Sequence, residues 1–167
     1  MEFFASWVFK CRMWVYLKMK YPKLEVVSKA VKNGFEAERK VESFLKTIGV
    51  EYKKQPRGRI LLADFSISGR ADFLTKNCVI EVKSSKTNFR REWLAQLNLY
   101  MKMFDVETGI LVRLSGNSVI MKAYEFNNEL YRESLKYFEW FLENKPSPPE
   151  KCEEKWCGFR HVCMGKR

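Results

Sequence analysis

Gly69-Arg70-Ala71-Asp72, followed after a gap of six residues by Val79-Ile80-Glu81-Val82-Lys83, sets one acid ahead of a second acid and a lysine two residues apart. Val79, Ile80 and Val82 form an apolar run of the kind that makes an interior strand. Side chains alternate faces along a strand, so Glu81 and Lys83 project to the same side. Aspartate is disfavoured in strands, so Asp72 calls for a role. If the two segments pair as a hairpin, Asp72 joins the other two. Two carboxylates and an ammonium are the minimum set for holding a divalent cation and activating a water on a phosphodiester. The plain alternative is a salt bridge between Glu81 and Lys83 on an exposed face.

Outward from this stretch, strand-like segments lie near residues 50–54, 59–65, 70–75 and 78–83. Ahead of them, residues 28–48 read as a helix with Gly49 as its stop. Its apolar side carries Val31, Ala37, Val41, Phe44, Leu45 and Ile48. Glu38 falls inside that arc, where a carboxylate is costly without a partner. Glu42, one turn on, sits at the edge and is a weaker candidate ligand. Behind the strands, residues 89–104 form a periodic helix with Phe89, Trp93, Gln96, Leu97, Tyr100 and Phe104 on one face. Gln96 and Tyr100 lie one turn apart and face the same way. Strands near 108–114 and 117–124 bracket a Ser115-Gly116-Asn117 turn, and a helix near 128–143 ends at the stiff linker Lys145-Pro146-Ser147-Pro148-Pro149. At the other end, Phe4, Trp7, Val8, Cys11, Trp14 and Val15 recur at helical spacing, which predicts a helix over 3–20 with Cys11 on its apolar stripe. The pattern predicts an α/β or α+β core, a mixed central sheet flanked by helices. Residues 1–24, 25–144 and 145–167 divide into an N-terminal helix, a core and a C-terminal segment.

Bulk properties bound the function. With 167 residues, 46% of them hydrophobic and 15% aromatic, the chain is a folded domain and not a disordered tail. Lys and Arg number 31 against 20 acids, a net charge of +11. That excess favours a polyanionic partner, nucleic acid before an anionic membrane surface, with solvated surface lysines as the bland alternative. No apolar run reaches the roughly 18 residues of a membrane-spanning helix. Lys10 and Arg12 interrupt the greasy N-terminus and no small-residue cleavage site follows, so no signal peptide is expected and the cytoplasm is the expected compartment.

In that compartment five cysteines are ligands or buried thiols before they are disulfides. Cys152, Cys157 and Cys163 crowd together beyond the proline linker, with Gly158 giving the chain room to turn. They need a fourth ligand. His161 would complete a zinc site of three thiolates and one imidazole, and Cys11 would complete an all-thiolate site. Cys78, just before the Glu81 strand, reads as a buried thiol.

The order Glu38, Asp72, Glu81-x-Lys83, Gln96-x-x-x-Tyr100 resembles the RecB-like branch of the PD-(D/E)xK nuclease superfamily, and Ser66-Ile67-Ser68-Gly69-Arg70 looks like that family's approach to its first aspartate. RecB-like members usually carry a histidine about four residues after the helix glycine. Here Gly34 is followed by Glu38, which is more similar to the archaeal Holliday-junction resolvase branch. One cysteine ahead of the core and three behind it, with Cys11 inside Phe9-Lys10-Cys11-Arg12-Met13-Trp14-Val15-Tyr16-Leu17, resembles the CRISPR-associated RecB-like exonucleases, the fourth Cas family, and nucleases of the AddB type.

This resemblance implies a restriction-endonuclease-like core holding Mg²⁺ or Mn²⁺ through Glu38, Asp72, Glu81 and the Val82 carbonyl. It gives Lys83 the attacking water, and Gln96 and Tyr100 the task of positioning the lysine or the DNA backbone. It implies a [4Fe–4S] cluster on Cys11, Cys152, Cys157 and Cys163 that staples the chain ends across the core. The expected activity is an exonuclease on single-stranded DNA or single-stranded ends, processing DNA for CRISPR spacer acquisition beside the Cas integrase complex, with no membrane partner and homo-oligomerisation left open. Arg57, Arg59, Lys86, Arg90 and Arg91 are expected phosphate contacts. A nuclease of DNA repair or of a mobile element, or a non-catalytic iron–sulfur DNA-binding subunit, would use the same residues.

Overall fold

The computed structural model describes residues 1–26, 31–85, 87–115, 118–149, 152 and 157–165, without the side chains of 31–34 and 115. The chain opens with β1 (Glu2–Phe4), a 3-10 turn (Ala5–Trp7) and α1 (Arg12–Lys20). Helix α2 (Val31–Thr47) leads into β2 (Lys53–Lys54), β3 (Arg57–Leu61), β4 (Ser66–Arg70), β5 (Phe73–Leu74) and β6 (Cys78–Ser84). Then come α3 (Arg91–Phe104), β7 (Thr108–Ser115), β8 (Ser118–Glu125), α4 (Asn128–Glu143) and the short α5 (Arg160–Cys163).

The strands form two sheets, where a single central one was expected. One has the order β1-β4-β3 and the other β2-β5-β6-β7-β8. Strands β6 and β7 run parallel, joined by the α3 crossover, and the other pairs of the larger sheet are antiparallel. Strand β6 is therefore interior. Its alternation sorts the two faces: Val79 joins the core under α3, whereas Ile80 and Val82 pack with Ala37, Val41 and Leu45 of α2. Glu81 and Lys83 share the parity of Val79 and so face α3.

The sequence-derived elements need four corrections. The helix expected over 3–20 is broken into a strand, a 3-10 turn and α1. Phe9 takes a left-handed φ of 54°, which no helix accommodates, and Phe3 pairs with Ile67 in β1–β4 and stacks on Phe138 at 4.9 Å. Consequently Cys11 lies off any apolar stripe: it is the extended, exposed residue that precedes α1. The strand expected at 59–65 is two strands, turned by a Leu62 N–H to Phe65 C=O bond of 3.0 Å. Asp72 falls between β4 and β5, where the chain leaves one sheet for the other.

Phe44 and Ile48 of the α2 region are exposed. The predicted turn residues Gly116 and Asn117 lie outside the described residues, and β7 and β8 pair as far as Ser115↔Ser118. Helix α4 occupies the expected span, capped by Asn127, whose side chain accepts from the Leu130 N–H. Among the described residues no helix is long and apolar enough to cross a membrane.

Candidate active site

Asp72, Glu81, Lys83, Gln96 and Tyr100 come together, with Glu38 close by. The β5–β6 hairpin pairs Phe73 with Ile80, which sets Asp72 beside the middle of β6. There the Val82 N–H donates to Asp72 Oδ2 at 2.6 Å. Lys83 Nζ donates to Glu81 Oε1 at 2.7 Å and to Gln96 Oε1 at 2.8 Å. Gln96 Nε2 donates to Glu81 Oε1 at 3.0 Å and to the Tyr100 hydroxyl at 2.8 Å. Gln96 is thus the hub of the cluster, with both sides of its amide engaged. Glu81 is 5% exposed, which overturns the alternative of a salt bridge on an open surface.

The electrostatics are those of crowded, desolvated acids. Burial, and then the charge of Glu81, pushes the Asp72 carboxyl up to about 8. Burial pushes Glu81 up as well, against the pull of Lys83. The Tyr100 phenol is raised by burial and then by Glu81. Glu38 contributes negative charge to both acids and accepts from Gln55 Nε2 at 3.2 Å, a neighbour the periodicity did not single out. Glu42 drops out as a ligand. It is tied to Lys54 at 2.5 Å and Tyr52 at 3.1 Å, and the Lys54 hydrogen bond pulls its carboxyl down to about 2.

A cleft of about 790 Å³ opens at this cluster, lined by Asp72, Glu81, Gln96 and Tyr100 together with Arg57, Arg59 and Arg70. Arg70 was not anticipated. Arg90 and Arg91 are absent from its lining: Arg90 bonds Thr87 and lies by Trp93, and Arg91 pairs with Glu133 at 2.5 Å. Lys86 lies outside the described residues.

The chain ends also meet. Phe159 is fully buried, edge-on to Trp14 of α1, and the Val26 N–H donates to the Gly158 carbonyl at 3.0 Å. Arg160 Nη1 donates to the Cys152 carbonyl at 2.6 Å. The Cys163 thiol is pushed up by burial and then by Cys157, Cys11 and Cys152, so those three cysteines lie within electrostatic reach of Cys163. His161 is exposed on α5. Cys78 is half-buried, its Sγ 3.2 Å from Thr75 Oγ1. Among the described residues, no group of three or more His, Cys, Asp or Glu side chains is set around a common point as a finished metal cage.

The family model of the PD-(D/E)XK nuclease superfamily matches residues 6–123, a span that contains the whole acidic cluster. The chain belongs to the PD-(D/E)XK nuclease superfamily. Solved structures agree on the fold of this superfamily member. SSO0001 aligns with a TM-score of 0.78 at 23% identity, over 99% of this chain and 87% of that one. An alkaline exonuclease, LHK-Exo from Laribacter hongkongensis, aligns at 0.66 and 15% identity, over 84% and 86% of the two chains. The same enzyme in complex with dAMP aligns at 0.58 and 16% identity, over 84% and 85%. At these identities the likeness is one of fold. No curated protein matches this chain.

Superfamily nucleases typically use a divalent metal, and the acidic cluster fits one. Among the described residues Glu81 Oε2 is buried with no hydrogen-bond partner, and such an orphan carboxylate oxygen costs stability unless a cation meets it. The charge of Glu81 raises the proton affinity of Asp72, that of Glu38 raises the proton affinity of both, and a bound cation would relieve that repulsion. The donors are all hard oxygens, which suit Mg²⁺ or Mn²⁺.

Proposed function

We propose that this protein is a Mg²⁺- or Mn²⁺-dependent DNA exonuclease of the RecB-like type, acting on single-stranded DNA or single-stranded ends. The orphaned Oε2 of Glu81, held beside Asp72 and Lys83 in an arginine-lined cleft, is the observation that carries this reading. Asp72 and Glu81 would hold the metal, with Glu38 and the Val82 carbonyl completing the set. Such an ion supplies a water of lowered pKa and offsets charge on the scissile phosphate.

The chain's own residues do the rest. Lys83, fixed between Glu81 and Gln96, presents its ammonium where negative charge develops and orients the attacking water. Gln96 holds both Lys83 and Glu81, and Tyr100 buttresses Gln96 from within the core. The LHK-Exo complex with dAMP supports a deoxynucleotide as product, since exonucleolytic cleavage of DNA releases a mononucleotide of that class.

In this reading Cys11, Cys152, Cys157 and Cys163 carry a [4Fe–4S] cluster, and residues 1–24 and 145–167 form the module around it. The influence of Cys157, Cys11 and Cys152 on the Cys163 thiol supports that donor set. The cluster would close a loop of well over a hundred residues, from Cys11 to Cys163, and so stabilise the docking of both ends on the core. The two cysteine groups flanking a small nuclease core favour a role in processing DNA for CRISPR spacer acquisition, beside a Cas integrase complex. End-labelled single-stranded DNA tests the activity: cleavage requires Mg²⁺ or Mn²⁺ and stops in EDTA, and cleavage undiminished by EDTA would refute it.

A further inference from the structure

The outer face of the small sheet is populated in a way that packing does not explain. Phe3 and Ile67, partners in β1–β4, are fully buried, so Glu2 and Phe4 point to the opposite side together with Ser66, Ser68 and Arg70. On β3 the residues in register with these are Arg59, opposite Ser68, and Arg57, opposite Arg70. Two arginines therefore face each other directly across a β-ladder, an arrangement that is destabilising unless an anion sits between them. Arg70 is two residues from Asp72, about 7 Å along the chain at strand rise. Arg59 is already held: Glu2 Oε1 accepts from its Nη2 at 2.6 Å and from Ser68 Oγ at 2.5 Å. Phe4 is 43% exposed although it touches Trp7, and it lines the same cleft as the arginines and the acids.

We infer that this face is the track for the single-stranded part of the substrate: Arg57 and Arg70 clamp the phosphate next to the scissile one, Phe4 stacks a base further along, and Glu2 guards Arg59 until a phosphate displaces it. The inference rests on the nuclease reading above and extends it. Charge complementarity and continuity with the acidic cluster select nucleic acid as the occupant. The exposed ring selects a single strand, because only an unpaired base can stack on it.

The full chain is titrated into fluorescein-labelled oligodeoxythymidine in EDTA, over a salt series, and binding is read by anisotropy. Arg57→Ala/Arg70→Ala weakens binding about tenfold and lowers the salt slope by about one, whereas the charge-matched Lys23→Ala/Lys136→Ala, at exposed sites outside the cleft, does neither. Phe4→Ala weakens binding about tenfold at an unchanged slope, and Phe4→Trp restores it. Glu2→Gln tightens binding by freeing Arg59. If the arginine variant fails to fold, Phe4→Ala decides alone. Undiminished affinity in the arginine or Phe4 variant, or an equal loss on blunt duplex, overturns the track. Because no metal is present, this readout is independent of catalysis: a parent protein that cleaves no DNA in Mg²⁺ or Mn²⁺ would refute the nuclease reading and leave the binding result standing.

Discussion

The Val82 N–H donates to Asp72 Oδ2 at 2.6 Å, so the strand that carries Glu81 and Lys83 also orients the first acid. Asp72 sits at the step from one sheet to the other, where its own backbone is outside any strand. Its carbonyl accepts the Gln55 N–H at 2.9 Å, which ties the step to the segment leading into β3. The acids are thus held together by backbone geometry before any cation arrives.

Gln96→Leu breaks three hydrogen bonds at once and leaves Lys83, Glu81 and Tyr100 short of a partner in a buried place. Stability falls by about 1–3 kcal/mol, and cleavage falls further because Lys83 loses its second anchor. Urea unfolding and single-turnover cleavage read the two losses. A variant with parental stability contradicts the hub role of Gln96.

Gly69→Ala would place a Cβ 2.5 Å from the Tyr100 ring, closer than a methyl group can approach without displacing it. Overpacking of this kind costs about 1–3 kcal/mol, and Tyr100 shifts away from Gln96. The second variant Gly69→Ala/Tyr100→Leu recovers much of the loss if that contact is the cause. Failure of Tyr100→Leu to relieve it would place the strain elsewhere.

Proton linkage gives metal binding a direction in pH. The Asp72 carboxyl rises from an ordinary 3.8 to about 8 in the fold, so its stabilising contribution is complete below pH 3.8 and is lost as pH climbs through about 8. Metal must displace that proton. Mn²⁺ affinity therefore rises by up to about tenfold per pH unit below 8, and the metal-induced gain in Tm is larger at pH 8 than at pH 6. Calorimetry in buffers of different ionisation enthalpy counts the released proton. Affinity that is flat over this interval would contradict the assignment of Asp72 as a ligand.

Cys11→Ala in protein purified anaerobically is expected to lose the bound iron and the brown colour of an iron–sulfur cluster, while Cys78→Ala keeps both. Iron analysis and visible absorption decide this. A colourless parent protein containing zinc would overturn the cluster.

The sequence made the acidic cluster legible because its logic is local. Two-residue parity on β6 and four-residue parity on α3 put Glu81, Lys83, Gln96 and Tyr100 on facing surfaces, and no tertiary detail was needed. The N-terminus misled for the converse reason. Phe4, Trp7, Cys11 and Trp14 recur at helical spacing, yet Phe4 lies in a strand, Trp7 in a 3-10 turn, and beyond the left-handed Phe9 Cys11 only precedes the helix that holds Trp14. Arg70 and Phe4 escaped because their meaning depends on register between strands distant in sequence, which no single segment encodes. Arg90 and Arg91 were expected phosphate contacts by position alone, and their place outside the cleft lining became visible only in the fold.

The central claim is that Lys83, braced by Glu81 and Gln96, works with a metal held by the neighbouring acids to cut DNA. The most direct test is single-turnover cleavage of end-labelled single-stranded DNA in Mn²⁺ by the parent protein and by Lys83→Ala, with circular dichroism to show that both are folded. The expected result is a loss of about a hundredfold or more in the variant, the scale for removing one positioned group that stabilises developing charge. Cleavage by folded Lys83→Ala at the parental rate would contradict it.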